Sequence, residues 1–471
     1  MIITIRRNFA AYIFTCCISA FMLACGSSPS GNATLCSTPA DCTDPAQAYC
    51  VAGVCHACES PINCSAAAPV CEAEVFECGA CVNDSSCGGY PATSHCAPTG
   101  ACVGCVTSDQ CSGNTPVCDV APGVCKACVT DGECATGACN LETGACIAEA
   151  AILYAAPTGT PNTMCTRAMP CTVKQALARV DSARSTVVLS DGNYVVSAAS
   201  EALLAGAKSA LIVGSQSAKL IGSAATPVAI RVTTKAAAVL RGFTMQSSAI
   251  ACNDAVLRIN LLAFNAAGTS SSNCQTRVES SLFVESTISA TSPQQPGTVS
   301  TMFVNRSKFI RAGDNSSMEV TGATSTIAHN LFFNPNRELC VDIDCPQVRL
   351  FAGTTNPALF AYNTVIDATV YLGNSAIGRS NIFYAPGQTP YAFAYENSLL
   401  VPLPADAPAG NFTGDPMFVD AAAGDFHLKP GSPAIDRGPV TVPAGVPAFD
   451  FDGRPRPVGA ATDIGAFEYT P

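Results

Sequence analysis

The residues best suited to chemistry lie in one short stretch, Cys340-Val-Asp342-Ile-Asp344-Cys345, with Arg337 and Glu338 just before it and Arg349 just after. Side chains alternate across an extended strand, so Asp342 and Asp344 would point to the same face. Two carboxylates a few ångströms apart suit acid and base work on a glycosidic bond. Alternatively, Glu338, Asp342 and Asp344 could ligate Ca2+ while Arg337 or Arg349 takes a proton beside a carboxylate. The plainer reading, and the preferred one, is a solvated turn that Cys340 and Cys345 close as a small disulfide loop. No Ser-His-Asp grouping, phosphate loop or metal-spaced pair of histidines is present. His329 and His427 read as structural. With no tryptophan in the chain, Tyr362, Tyr371, Tyr384, Tyr391 and Tyr395 are the aromatic candidates for stacking on a sugar ring, although most of them suit packing.

A second concentration of reactive groups is the run of cysteines from Cys36 to Cys146, which holds 20 of the 29 in the chain. Five units of four follow one another: Cys36, Cys42, Cys50, Cys55; Cys58, Cys64, Cys71, Cys78; Cys81, Cys87, Cys96, Cys102; Cys105, Cys111, Cys118, Cys125; and Cys128, Cys134, Cys139, Cys146. Each unit opens C-x5-C, and successive units meet in C-x2-C. Such regularity marks an internal repeat. Two-residue knuckles can hold zinc, but an even number per unit in an exported chain favours disulfides. Four cysteines allow three pairings, and the spacing does not choose among them. Gly53, Gly100, Gly123 and Gly144 each precede a fourth cysteine by two residues, where a tight turn calls for positive φ. The second unit has Phe76 there, which sets its turn apart. The units resemble the short cysteine-rich repeats of surface proteins in myxobacteria and their relatives, themselves loosely similar to Dickkopf N-terminal domains. A protease-resistant stalk is the expected role.

The N-terminus supplies the address. Arg6 and Arg7 precede an apolar run from Phe9 to Ala24, shorter than the roughly 20 residues of a membrane-spanning helix, so residues 1–24 read as a signal peptide. Met22-Leu-Ala24-Cys25-Gly resembles the bacterial lipobox, with Met22 in place of the usual Leu. That resemblance implies cleavage after Ala24, lipidation of Cys25 and a tether over residues 25–35. With no acid directly after Cys25, it also implies an outer-membrane or cell-surface location. Removing Arg6 and Arg7 from 24 basic residues, against 35 acidic ones, leaves a net charge of −13, which argues against nucleic acid as a partner.

What remains must position any site. Ile152-Leu-Tyr-Ala reads as a strand. Thr172 caps a short helix in which Val173, Ala176, Leu177 and Val180 fall on one face, and Cys165 and Cys171 bracket the loop before it and are expected to form a local disulfide. Val187 to Val196 reads as strand, turn, strand about Asp191-Gly192-Asn193. Beyond residue 200 a small or amide residue followed by apolar positions recurs from Gly242, Asn260, Ser280, Ser307, Asn330, Asn363, Asn381 and Asn397. The steps average about 22 residues, which fits one coil of a parallel β-helix whose asparagines bond to neighbours above and below. A β-sandwich or jelly roll is the alternative, but it would call for turns every 8 to 12 residues or so.

Tyr154-Ala-Ala-Pro-Thr-Gly, Cys165-Thr-Arg-Ala-Met-Pro-Cys171 and Asp191-Gly-Asn-Tyr194 resemble the start of pectin-lyase-like proteins. Gly414-Asp-Pro-Met-Phe418, Gly424-Asp-Phe-His-Leu428, Gly431-Ser-Pro-Ala-Ile-Asp436, Phe451-Asp-Gly-Arg-Pro455 and Asp463-Ile-Gly-Ala-Phe-Glu468 resemble the end of bacterial surface β-helix proteins of the choice-of-anchor type. The resemblance implies an all-β, right-handed parallel β-helix over 150–410, after the repeats of 36–146, and a closing segment over 411–471. Asp450, Asp452 and Asp463 are expected to help cover the open end, with a Ca2+ site as the alternative. The expected function is non-catalytic display, adhesion, or binding of a polysaccharide or surface protein. The alternative is a polysaccharide lyase or glycoside hydrolase acting on acidic polysaccharide.

Overall fold

The computed structural model describes residues 34–161, 164–223, 227–292, 300–311, 317–335, 347–352, 357–373, 376–386 and 395–471. They form two compact units, one running up to Val106 and including Val120–Val124, the other comprising Thr107–Asp119 and Cys125–Pro471.

In the first unit the invariant C-x5-C spacing has a local cause. Thr38 and Ser60 each start a single 3-10 turn whose last residue reaches back: Thr38 N donates to Asp41 Oδ2 at 2.8 Å, and Ser60 N to Asn63 Oδ1 at 2.9 Å. This reciprocal capping satisfies backbone donors that a one-turn helix cannot pair. A two-stranded antiparallel hairpin follows and sets the third and fourth cysteines opposite each other, Cys50 with Cys55, Cys71 with Cys78 and Cys96 with Cys102. Each cysteine then bonds across, first to third and second to fourth: Cys36–Cys50 and Cys42–Cys55, Cys58–Cys71 and Cys64–Cys78, Cys81–Cys96 and Cys87–Cys102. Phe76 takes the positive φ that glycine takes in the other units, 54° against 88° at Gly53, and its ring lies 5.0 Å from His56.

The second unit repeats this pairing in Cys111–Cys125, Cys128–Cys139 and Cys134–Cys146; Cys118, and Cys105 in the first unit, are also disulfide-bonded. From Ile152 the chain winds into three parallel sheets. The first has eleven strands, from Ile152–Ala155 to Tyr395–Glu396; the second has ten, from Gly192–Val196 to Leu399–Val401; the third has eight, from Ala202–Ala205 to Val370–Gly373. From Thr186–Leu189 to Ile382–Tyr384 consecutive strands go to successive sheets, and every pairing within these sheets is parallel, as in Leu257 with Thr276, Phe264 with Phe283 and Thr269 with Ile288. This is a parallel β-helix, and the parallel pairing sets the sandwich and jelly roll aside.

The recurring apolar positions form one interior column in the second sheet: Met245, Phe264, Phe283, Phe309, Phe332, Val365, Phe383 and Leu400. From Phe264 to Phe332 the rings stack at 4.4, 4.8 and 4.7 Å. A buried side chain of this size contributes roughly 1.5 to 3 kcal/mol, and stacking adds to it. Val173–Ala178 is the expected helix, capped by Thr172 Oγ1 accepting from Gln175 N at 3.3 Å. Its Val173, Ala176 and Leu177, with Val180, cover the first coil, and Cys165–Cys171 closes the preceding loop.

Two expectations change. Asp191-Gly192-Asn193 is no hairpin turn: Thr186–Leu189 lies in the first sheet and Gly192–Val196 in the second, so the residues turn a corner of the coil. At the open end Ala407, just before the closing segment, packs on the core, and the segment itself pairs there through Phe412 with Leu399. The remainder folds back along the side, placing Phe418, Phe426, Leu428, Ile464 and Phe467 on the outward Leu331, Ile366, Ile382 and Leu399 of the second sheet.

Candidate functional site

The outer face of the third sheet carries one ladder of side chains, each paired in register with the next: Arg231, Ala251, Ser270, Ser289, Glu319, Arg349 and Tyr371. Parallel neighbours sit about 4.8 Å apart, so Glu319, Arg349 and Tyr371 form a contiguous acidic, basic and aromatic patch. Alternation within each strand buries the residues on either side, as with Met318 and Val320 about Glu319 and Val348 and Leu350 about Arg349. Glu201 pairs with Arg231 at 2.5 Å at the N-terminal end of the ladder.

Beside Ser270 and Ser289 the face hollows into an open groove of about 490 Å3, lined by Ser270, Glu285, Ser286, Thr287, Ser289 and Arg311 among others. Glu285 lies at the corner after Leu282–Val284 with φ 49°, and Ser286 Oγ accepts from Ala267 N at 3.1 Å. Hydroxyls, carboxylates and guanidinium groups along a shallow groove can exchange many hydrogen bonds with a polyhydroxylated chain, and the exposed Tyr371 ring offers a face for apolar sugar carbons.

Arg349 and Tyr371 are the sequence candidates that this face contains. Arg337, Glu338, Cys340, Asp342, Asp344 and Cys345 lie outside the described residues, as do Ala24, Cys25 and Tyr391. Tyr362 and Tyr395 are buried, and Tyr384 packs edge-on against Phe418. Sequence reading missed Glu319, Glu285, Ser270 and Ser289. The ladder steps are 19 from Ala251 to Ser270, 19 to Ser289, 30 to Glu319, 30 to Arg349 and 22 to Tyr371, so no fixed period reveals them.

The closing segment's carboxylates have structural work. Asp450 accepts from Arg454 N at 2.7 Å and Glu468 N at 3.0 Å; Asp463 accepts from Asp436 N at 2.7 Å and Tyr469 N at 2.6 Å. Both oxygens of each are thus engaged by backbone amides. Buried Arg456 pairs with Glu468 at 3.2 Å and lies over the Tyr362 ring at 4.8 Å. Burial pushes the Glu468 and Asp463 carboxyls up from their ordinary values. Asp452 is a partner of His427 Nε2 at 2.8 Å, and His427 Nδ1 lies 2.5 Å from Asp425. His329 is buried against Asn305, Nδ1 to Oδ1 at 3.0 Å, and burial, then Arg456 and Arg306, hold its pKa well below the usual histidine value. Among the described residues no helix is long and apolar enough to cross a membrane.

Fold and site together define a class: disulfide-linked repeats followed by a parallel β-helix with a polar groove on one outer face. A family of unknown function, DUF8331, matches residues 57–152, a span that opens just before Cys58 and takes in the second to fifth repeats. No curated protein matches the chain. A solved structure, "Crystal structure of pectate lyase Pel9A", is similar at 13% identity over 68% of this chain and 96% of that one, with a TM-score of 0.32.

Proposed function

We propose that this is an exported surface protein, lipid-anchored through Cys25 at an outer membrane, whose repeats carry a β-helix that binds glycan along its third sheet without turning it over. The observation that carries the reading is the ladder Ser270, Ser289, Glu319, Arg349 and Tyr371 beside its groove. Disulfides in every described repeat support an oxidising compartment. The likeness of the repeats to those of myxobacterial surface proteins, and of the closing motifs to choice-of-anchor proteins, accords with that address. A net charge of −13 repels acidic polymers, so neutral glycans or cation-bridged acidic ones are the expected ligands.

A polysaccharide lyase or hydrolase is the second reading. One observation favours it: Arg349 is a cross-strand neighbour of Glu319, and the chain leading into its strand contains Asp342 and Asp344. Ca2+ is the cofactor that reading would call for.

The test is co-sedimentation of the protein with insoluble neutral and acidic polysaccharides, with and without Ca2+, while ultraviolet absorbance is followed for unsaturated products. Retention that weakens in Arg349→Ala and Glu319→Gln, with no absorbance rise, is the expected result. A rise abolished by Asp342→Ala or Asp344→Ala would establish the enzyme instead. Cys25→Ser should move the protein from the membrane to the soluble fraction, and continued membrane retention would count against the anchor.

A further inference from the structure

On a different face, the loop of the closing segment that contains Pro447, Phe449 and Gly453 overhangs the first sheet and encloses a pocket of about 380 Å3 with Arg277, Glu279, Asn305 and Arg306. That volume lies within the roughly 300 to 1,000 Å3 of small-molecule sites. Its charges can be counted. Arg277 donates to Glu279 at 2.8 Å and lies 4.1 Å over the Phe303 ring, so these two charges offset each other. Arg306 is held by no ion pair among the described residues, and its Nε is buried with no hydrogen-bond partner. A buried guanidinium N–H left unmade is costly, and an acceptor supplied by a ligand removes that cost.

Among the residues that line the pocket, one positive charge is thus left over. Asn305, at the pocket wall, holds His329, which burial keeps neutral, and Arg456 is paired with Glu468. Of the Phe451-Asp-Gly-Arg-Pro455 motif, Gly453 lines this pocket. Gly453 has φ 85°, and a Cβ there would stand 3.0 Å from Arg306 NH1, so the glycine leaves room for the guanidinium. Phe449, 50% exposed, presents an apolar surface at the lip.

We infer that this pocket binds a small acidic sugar through its carboxylate, with Arg306 as the receiving fork and Phe449 against the sugar ring. A guanidinium pairs two parallel N–H groups with a carboxylate, and a single uncompensated positive charge matches a monoanion better than a dianion. The site shares no residue with the groove on the third sheet and does not depend on it.

Isothermal titration of the full-length protein at low ionic strength with galacturonate and with galactose tests the inference. Galacturonate should bind at least about tenfold more tightly than galactose, and Arg306→Gln should lose about tenfold or more in galacturonate affinity. Arg306→Lys, which keeps the charge and loses the fork, should recover only part of it. Phe449→Ala, at an exposed position, should weaken both sugars while the preference for the acid persists. Unchanged galacturonate binding in Arg306→Gln with a wild-type melting curve would overturn the site. So would equal affinity for galactose, or displacement of galacturonate by inorganic sulfate at equal concentration. Loss of polysaccharide retention in the Arg349 variant, with galacturonate binding intact, would separate the two sites.

Discussion

Arg241, on the first sheet, grips Asp131 in the fifth cysteine-rich repeat with two bonds, Nε to Oδ2 at 2.6 Å and NH2 to Oδ1 at 2.5 Å, and donates to the Cys139 carbonyl at 2.7 Å. The arginine side chain is 7% exposed and the aspartate 16%. Nearby, Tyr154 Oη donates to the Thr136 carbonyl at 3.2 Å, and Ala138 packs on Ile152, Tyr154 and Val213. The fifth repeat is therefore fastened to the opening coils, and any stalk begins before it.

Arg241→Ala should accordingly destabilise the protein by about 3 kcal/mol, the scale for stripping one partner from a buried ion pair. Denaturant unfolding measures the loss. Limited proteolysis should also begin to cut between Cys146 and Ile152. An exposed pair would contribute less than about 1 kcal/mol, so a loss that small would show the junction to be weak.

The corner of the second sheet holds a buried amide ladder. Asn330 N donates to Asn363 Oδ1 at 2.9 Å, Asn363 N to Asn381 Oδ1 at 2.8 Å, and Asn363 Nδ2 to the Ile327 carbonyl at 2.8 Å. Asn363→Ala leaves the buried Asn330 amide without the Oδ1 that accepts from it, at about 1 to 3 kcal/mol. Amide hydrogen exchange at Asn330 should accelerate and the unfolding midpoint should fall. Asn363→Ser should recover part of the loss, because serine serves at the same position in other coils, where Ser398 Oγ accepts from Asn381 N at 3.1 Å and Ser307 Oγ from Ser281 N at 3.2 Å.

Cys252 and Cys274 form a disulfide inside the core, across 22 residues and beside the stacked phenylalanines. Replacing both with Ala releases that loop in the unfolded chain, an effect of about 2 to 4 kcal/mol. Thermal unfolding of the double variant should shift down accordingly, while alkylation of the native wild-type protein should leave both residues unmodified. Labelling at either cysteine would contradict the bond.

How much of this could be read in the sequence depends on the range of the interaction. The phenylalanine column shows because Asn330-Leu-Phe332 and Asn381-Ile-Phe383 carry the same local pattern, and the helix at Val173 shows because its cap and its buried face are adjacent in sequence. The ladder residues in two coils are offset by one from the expected positions: Ser281 and Ser398, rather than Ser280 and Asn397, accept from or donate to their neighbours. Cys252 sits in a strand-like run and Cys274 among polar residues between two strands, and neither carries a repeat spacing to mark it. Arg241 gives no local sign of Asp131, 110 residues away. Glu319 was hidden because register across coils of 19 and 30 residues is set by the loops between strands, and their lengths follow no period.

His427 sets a pH dependence on the closing segment. Burial works against its charged form, but the hydrogen bonds to Asp452 and Asp425 outweigh that and hold its pKa above the ordinary 6.5. The folded protein therefore binds this proton more tightly than the unfolded chain does. The stability that follows is complete below 6.5 and is lost as pH rises through the higher folded-state value. Asp425 behaves oppositely: the His427 hydrogen bond lowers its pKa, so its contribution is present above 3.8 and disappears as pH falls through the lowered value. Because the histidine is 36% exposed, solvent screening limits its effect to on the order of 1 kcal/mol or less. Melting temperatures measured from about pH 5 to pH 9 should decline on the alkaline side for the wild type, and His427→Gln should remove the part of that decline that lies above 6.5. Identical slopes in the two proteins would show that Asp425 and Asp452 hold a neutral ring.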